Sequence, residues 1–301
     1  MTKLLIFGYS GFVGPYLAKE FLDAGYDVFG SDIVNPSSNI SNVVFSKVDL
    51  LNEIEVNNLI AKVKPNMIIN LAAISSVGLS WKIPKKTFEV NVCGTINILE
   101  AIKNNDSNIK LLIVGSSEEY KQKNSPLIED DELDSNNPYG ISKVTQERIS
   151  KMYAERYGLK IVRVRAFNHS GIGQKDTFVI PSFCKQVAEI EKSGKPGTIY
   201  VGNLEAIRDF SDVRDIVHSY RYILENYDNG VFNIGSGVSR KLSDILKTII
   251  SFSNQEITVM IDKDKYRPID TPFIGCKNII PIKFRDFNTT LKEMFDYYLK
   301  N

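Results

Sequence analysis

Lys3-Leu4-Leu5-Ile6-Phe7-Gly8-Tyr9-Ser10-Gly11-Phe12-Val13-Gly14 is the stretch whose reading decides the fold. Leu4 to Phe7 form a short apolar run bounded by glycine, the pattern of a buried parallel strand. From Phe12 to Ala24 apolar residues recur at helical spacing until Gly25, which predicts a helix. The glycines therefore lie in a strand-to-helix turn. There Gly8 permits the tight turn, Gly11 lets backbone approach a diphosphate, and Gly14 lets the helix pack closely, while N–H groups at the helix start face the anion. Pro15 suits the first helical turn, where a missing N–H costs little. A glycine triplet alone is a weak signature; between a strand and a helix it reads as a dinucleotide site.

A chain of 301 residues with 43% hydrophobic content can bury a large core, as one α/β unit or a domain with a smaller partner. Its net charge of +1 offers no electrostatic case for nucleic acid or an acidic membrane surface. Cys93, Cys184 and Cys276 are far apart and odd in number, which argues for a reducing compartment and a role as small buried hydrophobes. His169 and His218 have no spacing to the cysteines that would make a zinc site, so no metal is expected. The first apolar run is too short for a signal peptide, and no window approaches the roughly 18 apolar residues of a membrane span. A soluble, cytoplasmic protein is the expectation.

Tyr26 to Asp32 reads as a second strand ending in an acid, about 20 residues past the glycines, where a carboxylate accepts from adenosine-ribose hydroxyls and repels a 2′-phosphate. That favours NAD(H) over NADP(H), and no Arg or Lys follows before Lys47. Further strands are expected over Val43–Val48, running into Asp49 and Leu50, over Met67–Leu71, followed by Ala72 and Ala73, and over Lys110–Val114. Helices are expected over Ile54–Val63 and over Thr87–Asn104, which holds Asn91. Ile74–Trp81 reads as a polar loop, and Asn124–Asn137 as an acidic surface loop. Strands alternating with helices define a doubly wound parallel sheet, with ligands at the strands' C-terminal edge.

Asn136-Asn137-Pro138 then starts a helix that places Tyr139 and Lys143 four residues apart, on one face. A tyrosine titrates near pH 10, but a neighbouring ammonium favours the phenolate and lowers that value. Ser116, at the end of the fifth strand, can hydrogen-bond the oxygen that Tyr139 protonates. The glycine turn, this serine and the Tyr-x-x-x-Lys helix together resemble the extended short-chain dehydrogenase/reductase family, over essentially the whole chain. Within it, Ser75-Ser76-Val77, Ser80-Trp81, Ser116-Ser117-Glu118-Glu119-Tyr120, Phe167-Asn168-His169-Ser170-Gly171, Gly202 to Phe210 and Arg267-Pro268 resemble the GDP-4-keto-6-deoxy-D-mannose reductases. The related GDP-mannose 4,6-dehydratases share several of these strings. Lys121 stands where those relatives usually carry Gly, and Asp32 stands in a group of enzymes many of which favour or accept NADPH.

The resemblance implies a Rossmann-type α/β fold with a dinucleotide-binding domain and catalytic helix over 1–166. It also implies a smaller sugar-nucleotide lobe, mainly 167–301, some segments of which return to the main sheet. It implies Tyr139 as acid/base, Lys143 holding the nicotinamide ribose, Ser116 orienting a carbonyl, and Asn91 as support. Glu118 stands where dehydratases keep a base. Dinucleotide contacts would come from Gly8, Ser10, Gly11, Phe12, Val13, Gly14, Asp32, Asp49, Leu50, Leu71, Ala72, Ala73, Tyr139, Lys143 and Phe167. Nucleotide-sugar contacts would come from Ser75, Ser76, Ser117, Asn168, Phe178, Val179, Asn203, Glu205, Arg208, Arg267 and Asp270. Arg208 is the best cation for a pyrophosphate because a guanidinium grips phosphate oxygens in pairs, although Arg208–Asp209 and Arg214–Asp215 equally suit surface ion pairs. The implied activity is NAD(P)H-dependent reduction of a GDP-linked 4-keto-6-deoxyhexose by a homodimer. A 4,6-dehydratase, a 4-epimerase or a non-catalytic dinucleotide-binding regulator are the alternatives.

Overall fold

The computed structural model describes residues 2–37, 40–263 and 271–301. Its N-terminal part runs β1 (Lys3–Phe7), α1 (Val13–Asp23), β2 (Asp27–Asp32), β3 (Val43–Lys47), α2 (Glu53–Val63), β4 (Met67–Asn70), α3 (Val77–Lys82), α4 (Pro84–Phe88), α5 (Gly94–Asn105) and β5 (Lys110–Ser116). Next come α6 (Pro138–Tyr157), β6 (Ile161–Ala166), β7 (Asn168–Ser170), α7 (Val179–Ser193), β8 (Gly197–Val201), β9 (Ile207–Asp212) and α8 (Val213–Asn226). The chain finishes with β10 (Gly230–Ile234), β11 (Ser239–Lys241), α9 (Leu242–Ile250), β12 (Ile257–Ile261), β13 (Phe273–Ile274) and α10 (Phe287–Lys300).

One unit comprises Met1–Lys121, Glu129–Ala166 and Val217–Ile234. Its sheet holds seven parallel strands in the order β10-β6-β5-β4-β1-β2-β3. The chain moves outward from β1 to β3 on one side, then returns to β4 and moves outward on the other, so strand order reverses between β1 and β4. This is the expected doubly wound architecture, and the reversal opens a crevice at the C-terminal strand ends. Leu4 to Phe7 are all buried, as befits a strand covered on both faces. Leu5 and Phe7 pack with Val56 and Ile60 of α2, Ile98 and Ile102 of α5, and Ile113 of β5; each such side chain contributes about 1.5–3 kcal/mol.

The other unit comprises Gln122–Ile128, Phe167–Ile216 and Gly235–Asn301. Here β9 pairs with β7, β11 and β13, while β8 pairs with β12. Its core joins Phe183 and Val187 of α7, Leu246 and Ile249 of α9, and Leu291 and Phe295 of α10. Phe210 stacks on Phe287 with ring centroids 5.8 Å apart. No helix among the described residues is long and apolar enough to cross a membrane.

Several local expectations are corrected. The single helix over Thr87–Asn104 is split into α4, a π-helical turn at Glu89–Cys93, and α5. Such turns accommodate a residue that must face inward, and Asn91 is buried there, bonded to both backbone groups of Ile74. Cys93, read as a buried hydrophobe, is exposed on the same turn. The polar loop before it contains α3, because the Ser76 hydroxyl caps it by accepting from the Leu79 N–H (3.2 Å). The surface loop over Asn124–Asn137 contains a buried residue: Leu127 donates its N–H to Gly275 (2.8 Å) and accepts from Lys277 (3.0 Å). In α7, which begins at Val179, Pro181 sits in the first turn, where a missing N–H costs little.

The turn after β1 tolerates almost no added volume. Gly8 has φ +81°, and a Cβ there would lie 2.5 Å from the Ala72 nitrogen; one at Gly14 would lie 2.0 Å from the Tyr9 carbonyl oxygen. Gly78, in α3, has open space. Gly14→Ala is therefore expected to cost at least about 3 kcal/mol, whereas Gly78→Ala should be neutral or stabilising by about 0.5–1 kcal/mol. Urea unfolding of both variants checks the contrast.

Candidate functional site

The glycine turn, the ends of β2 and β4 and the start of α1 form one side of the crevice. No side chain caps the start of α1, which leaves the helix start for an anion. Asp32 Oδ2 accepts from the Ser10 N–H (3.0 Å), Asp32 Oδ1 from the Val34 N–H (3.3 Å), and the Ser10 hydroxyl donates to the Val34 carbonyl (2.8 Å). The carboxylate thus ties the glycine turn to the exit of β2, and its remaining lone pairs can accept ribose hydroxyls. Lys47, distant from Asp32 in sequence, is its register partner on β3. The parallel pairing therefore brings a cation beside the acid that the linear order kept away from it. Asp49 Oδ1 accepts from the Leu51 N–H (2.9 Å), Leu50 is buried, and Leu71, Ala72 and Ala73 are half-buried behind Asn70, whose Oδ1 accepts from the Ala72 N–H (3.1 Å). Gly11 is exposed, and Phe12 and Val13 are half-buried.

Opposite lie the end of β5 and helix α6. Asn137 caps α6 through its Oδ1 and the Gly140 N–H (2.9 Å), with Pro138 at the first position. The helix turns a polar stripe inward: Tyr139, Ser142, Lys143, Gln146, Glu147 and Ser150 are all buried. The Tyr139 N–H donates to the Ser80 hydroxyl (3.1 Å), and the Ser116 side chain acts on the Tyr139 phenol so as to favour its ionised form. Lys143 Nζ donates to the Val114 carbonyl (2.8 Å) and to Gln146 Oε1 (2.9 Å). Gln146 donates in turn to the Thr95 hydroxyl (2.6 Å), which donates to the Asn91 carbonyl (2.8 Å). Asn91 also donates to the Ser142 hydroxyl (2.9 Å), so the π turn braces the helix that carries Tyr139.

The electrostatics depart from the sequence expectation in one respect. Lys143 does not bring Tyr139 below the usual phenol range; burial pushes the phenol above it, the Ser116 side chain opposes this, and Glu119 and Glu118 push the same way as burial. The ammonium nitrogen lies 6.0 Å from the Tyr139 ring centre and is engaged by Val114 and Gln146 instead. Lys143 itself is pushed down to about 8 by burial, against the pull of Glu119. Behind them, Glu147 grips Arg165 through both oxygens (2.9 and 2.6 Å), and Arg165 donates to the Tyr120 hydroxyl (2.7 Å), which donates to Asn233 (2.6 Å). Burial opposes the Arg165 charge, but Glu147 and Tyr120 hold the guanidinium protonated.

The remaining predicted residues are placed as follows. Glu118 Oε2 accepts from Asn137 (3.2 Å), Ser117 is buried, Ser75 is exposed, and Ser76 is occupied as the α3 cap. In the second unit, Asn168 begins β7, Phe167 is fully buried, and Phe178 is half-exposed just before Val179 opens α7. Asn203 Oδ1 accepts from the Glu205 N–H (2.9 Å), and Glu205 pairs with Lys241 (2.7 Å). Arg208 is buried and donates to the carbonyls of Ile207 (2.9 Å) and Pro272 (3.4 Å). The neighbour ion pairs do not form: Asp209 takes the Ser236 and Gly237 N–H groups, Arg214 pairs with Asp212 and Glu293, and Asp215 pairs with Arg285. Alternation along β9 and the turn into α8 send adjacent side chains apart. Arg267 and Asp270 lie outside the described residues. Sequence reasoning assigned no role to Glu119, Gln146, Glu147 or Arg165. Ser116-x-x-Glu119 has the spacing of a capping box, and Gln146 and Glu147 continue the face of Tyr139 and Lys143; both were available signals.

A family model described as GDP-mannose 4,6 dehydratase matches residues 5–283. The chain is 29% identical over 269 residues to the GDP-6-deoxy-D-mannose reductase of Pseudomonas aeruginosa, covering 88% of this chain and 84% of that one. The structure of RMD from Pseudomonas aeruginosa complexed with NADPH has a TM-score of 0.84 at 24% identity, over 100% of this chain and 99% of that one. The UDP-glucose 4-epimerase of Thermus thermophilus, in complex with NAD, has a TM-score of 0.86 at 23% identity, over 99% of both chains. At these identities the two solved structures speak for the fold alone.

The Arg165–Glu147 pair is buried, so removing one member strands the other. Arg165→Met is expected to cost roughly 3–5 kcal/mol, and the double variant Arg165→Met/Glu147→Leu to recover most of it. Denaturant unfolding of the single and double variants measures both.

Proposed function

The chain belongs to the GDP-mannose 4,6 dehydratase family, and from that premise we propose that it reduces a nucleotide-linked 4-keto-6-deoxyhexose, GDP-4-keto-6-deoxy-D-mannose, to GDP-D-rhamnose. The observation that carries this reading is the pair of buried side chains Ser116 and Tyr139, with Lys143 on the same helix face as Tyr139. The name of the Pseudomonas aeruginosa relative supports the reductase branch. The crevice fits a nicotinamide dinucleotide: the start of α1 carries no side-chain cap, the turn before it is built of glycines, and Asp32 ends β2. When bound, that cofactor supplies the hydride.

The chain's own residues handle the proton. Ser116 and Tyr139 hold the substrate carbonyl oxygen, and Tyr139 donates its proton as negative charge develops there. Because burial keeps the phenol protonated at neutral pH, Tyr139 stands ready as a donor. The phenolate left behind is stabilised by the Ser116 side chain. For the substrate diphosphate the proposed cation is Arg208. Glu118, two residues beyond Ser116, favours a second reading, a 4,6-dehydratase whose base it would be.

Incubation with GDP-4-keto-6-deoxymannose should consume NADH or NADPH one for one. Water loss from GDP-mannose without cofactor consumption would overturn the reductase reading in favour of the dehydratase. Tyr139→Phe is expected to lower turnover by roughly 10²–10⁴ while cofactor binding, followed by fluorescence titration, stays nearly intact. Asp32 predicts tighter binding of NADH than of NADPH in the same titration, and the reverse order would show that Lys47 governs this end of the crevice.

A further inference from the structure

Thr95 lies in the first turn of α5 and is buried, as are Asn70, Asn91, Lys143 and Gln146 around it. A threonine hydroxyl has one hydrogen to give and two lone pairs that accept. Here all three are used: Oγ1 donates to the Asn91 carbonyl (2.8 Å) and accepts from Gln146 Nε2 (2.6 Å) and Asn70 Nδ2 (3.2 Å). The Asn91 carbonyl can only accept, so the single hydrogen is committed there. Both amides must therefore turn their nitrogens toward Thr95 and their oxygens away from it. For Gln146 the oxygen then faces Lys143, and Oε1 accepts from Nζ (2.9 Å). For Asn70 it faces the end of β4, and Oδ1 accepts from the Ala72 N–H (3.1 Å). Ala72 is the residue whose backbone crosses Gly8, where a Cβ would lie 2.5 Å from its nitrogen. One hydroxyl thus joins the wall that carries the glycine turn to the wall that carries the lysine.

We propose that Thr95 is a positioning residue of this site: by fixing which way the Gln146 amide points, it gives Lys143 an acceptor and holds the lysine nitrogen at the crevice. The role rests on the reading above, in which the crevice takes a nicotinamide dinucleotide, with Lys143 as its contact on α6. Lys143 Nζ also donates to the Val114 carbonyl (2.8 Å). A lysine nitrogen on its flexible four-carbon stem can swing about a single anchor. Two anchors from different elements, β5 and α6, set its place. The second anchor exists in only one of the two orientations of the Gln146 amide. An amide has no preference of its own between them, because either end can hydrogen-bond. Turned over, it would set its NH2 against the donors of Lys143 and its oxygen against a Thr95 oxygen with no hydrogen left to give. Thr95 therefore selects the orientation that serves Lys143.

Thr95→Val keeps the shape of the side chain and removes the hydroxyl, Thr95→Ser keeps the hydroxyl, and Gln146→Met removes the amide at similar length. In fluorescence titration T95V should bind NADH roughly tenfold more weakly than wild type, as expected when one hydrogen bond to a charged group is lost, while T95S stays near wild type. Because Thr95 acts through Gln146, the losses in T95V and Q146M should overlap in T95V/Q146M rather than multiply. Wild-type affinity in T95V, equal weakening in T95S, or multiplied losses in the double variant overturns the proposal. If T95V alone does not fold, recovery of the fold in T95V/Q146M, which removes the stranded Gln146 donor, supports the assignment, and no recovery overturns it. A ligand-free measurement separates this role from the cofactor reading. In 15N-labelled protein the Gln146 side-chain amide, identified by its loss in Q146M, should exchange its hydrogens roughly tenfold or more faster in T95V than in wild type or T95S. Equal protection in T95V overturns the proposal. Wild type that shows this contrast but binds neither NADH nor NADPH would reject the cofactor reading and leave the control of Gln146 by Thr95 standing.

Discussion

The close approach of the Gly8 backbone to the Leu71–Ala72 peptide fixes how β1 meets β4, and with it the point where strand order reverses. With a positive φ and no room for a Cβ, residue 8 can only be glycine. The turn that follows is equally tight, since the first turn of α1 rests on the Tyr9 backbone at Gly14. From this junction the ends of β2, β4, β5 and β6 all reach one edge, because parallel pairing leaves every C-terminus on the same side. The carboxylate of Asp32 and the hydroxyls of Ser116 and Tyr139 belong to one crevice for this reason.

The opposite wall depends on a helix that breaks the usual pattern. A surface helix turns an apolar stripe to the core, yet α6 turns Tyr139, Ser142, Lys143, Gln146 and Glu147 inward. Buried polar groups are tolerated only when satisfied, and nearly all of these are, through Asn91, Thr95, Val114 and Arg165. The network holds the catalytic candidates rigidly at the cost of dependence on every member. Its unsatisfied member is Glu119, whose second oxygen has no partner.

Much of this was legible in the residue order. The glycine turn, the strands over residues 3–7, 27–32, 43–47 and 67–70 and the tyrosine–lysine pair of α6 follow from periodicity and spacing, because local backbone preference and burial agree there. The π turn at Glu89–Cys93 was not legible, since the apolar rhythm on either side reads as one continuous helix. Nor was the burial of Leu127, which rests on backbone bonds to Gly275 and Lys277 far along the chain.

The residue order by itself determined the fold class, the crevice and the candidate reacting side chains, because these depend on turns, strand ends and helix spacing that local chemistry dictates. Only the tertiary structure decided their charge states. It buried Tyr139 and raised its proton affinity, drew Lys143 toward Val114 and Gln146, and placed Glu119 against the same short piece of backbone. Charge depends on distance and on exclusion of water, and both arise from packing among segments remote in sequence.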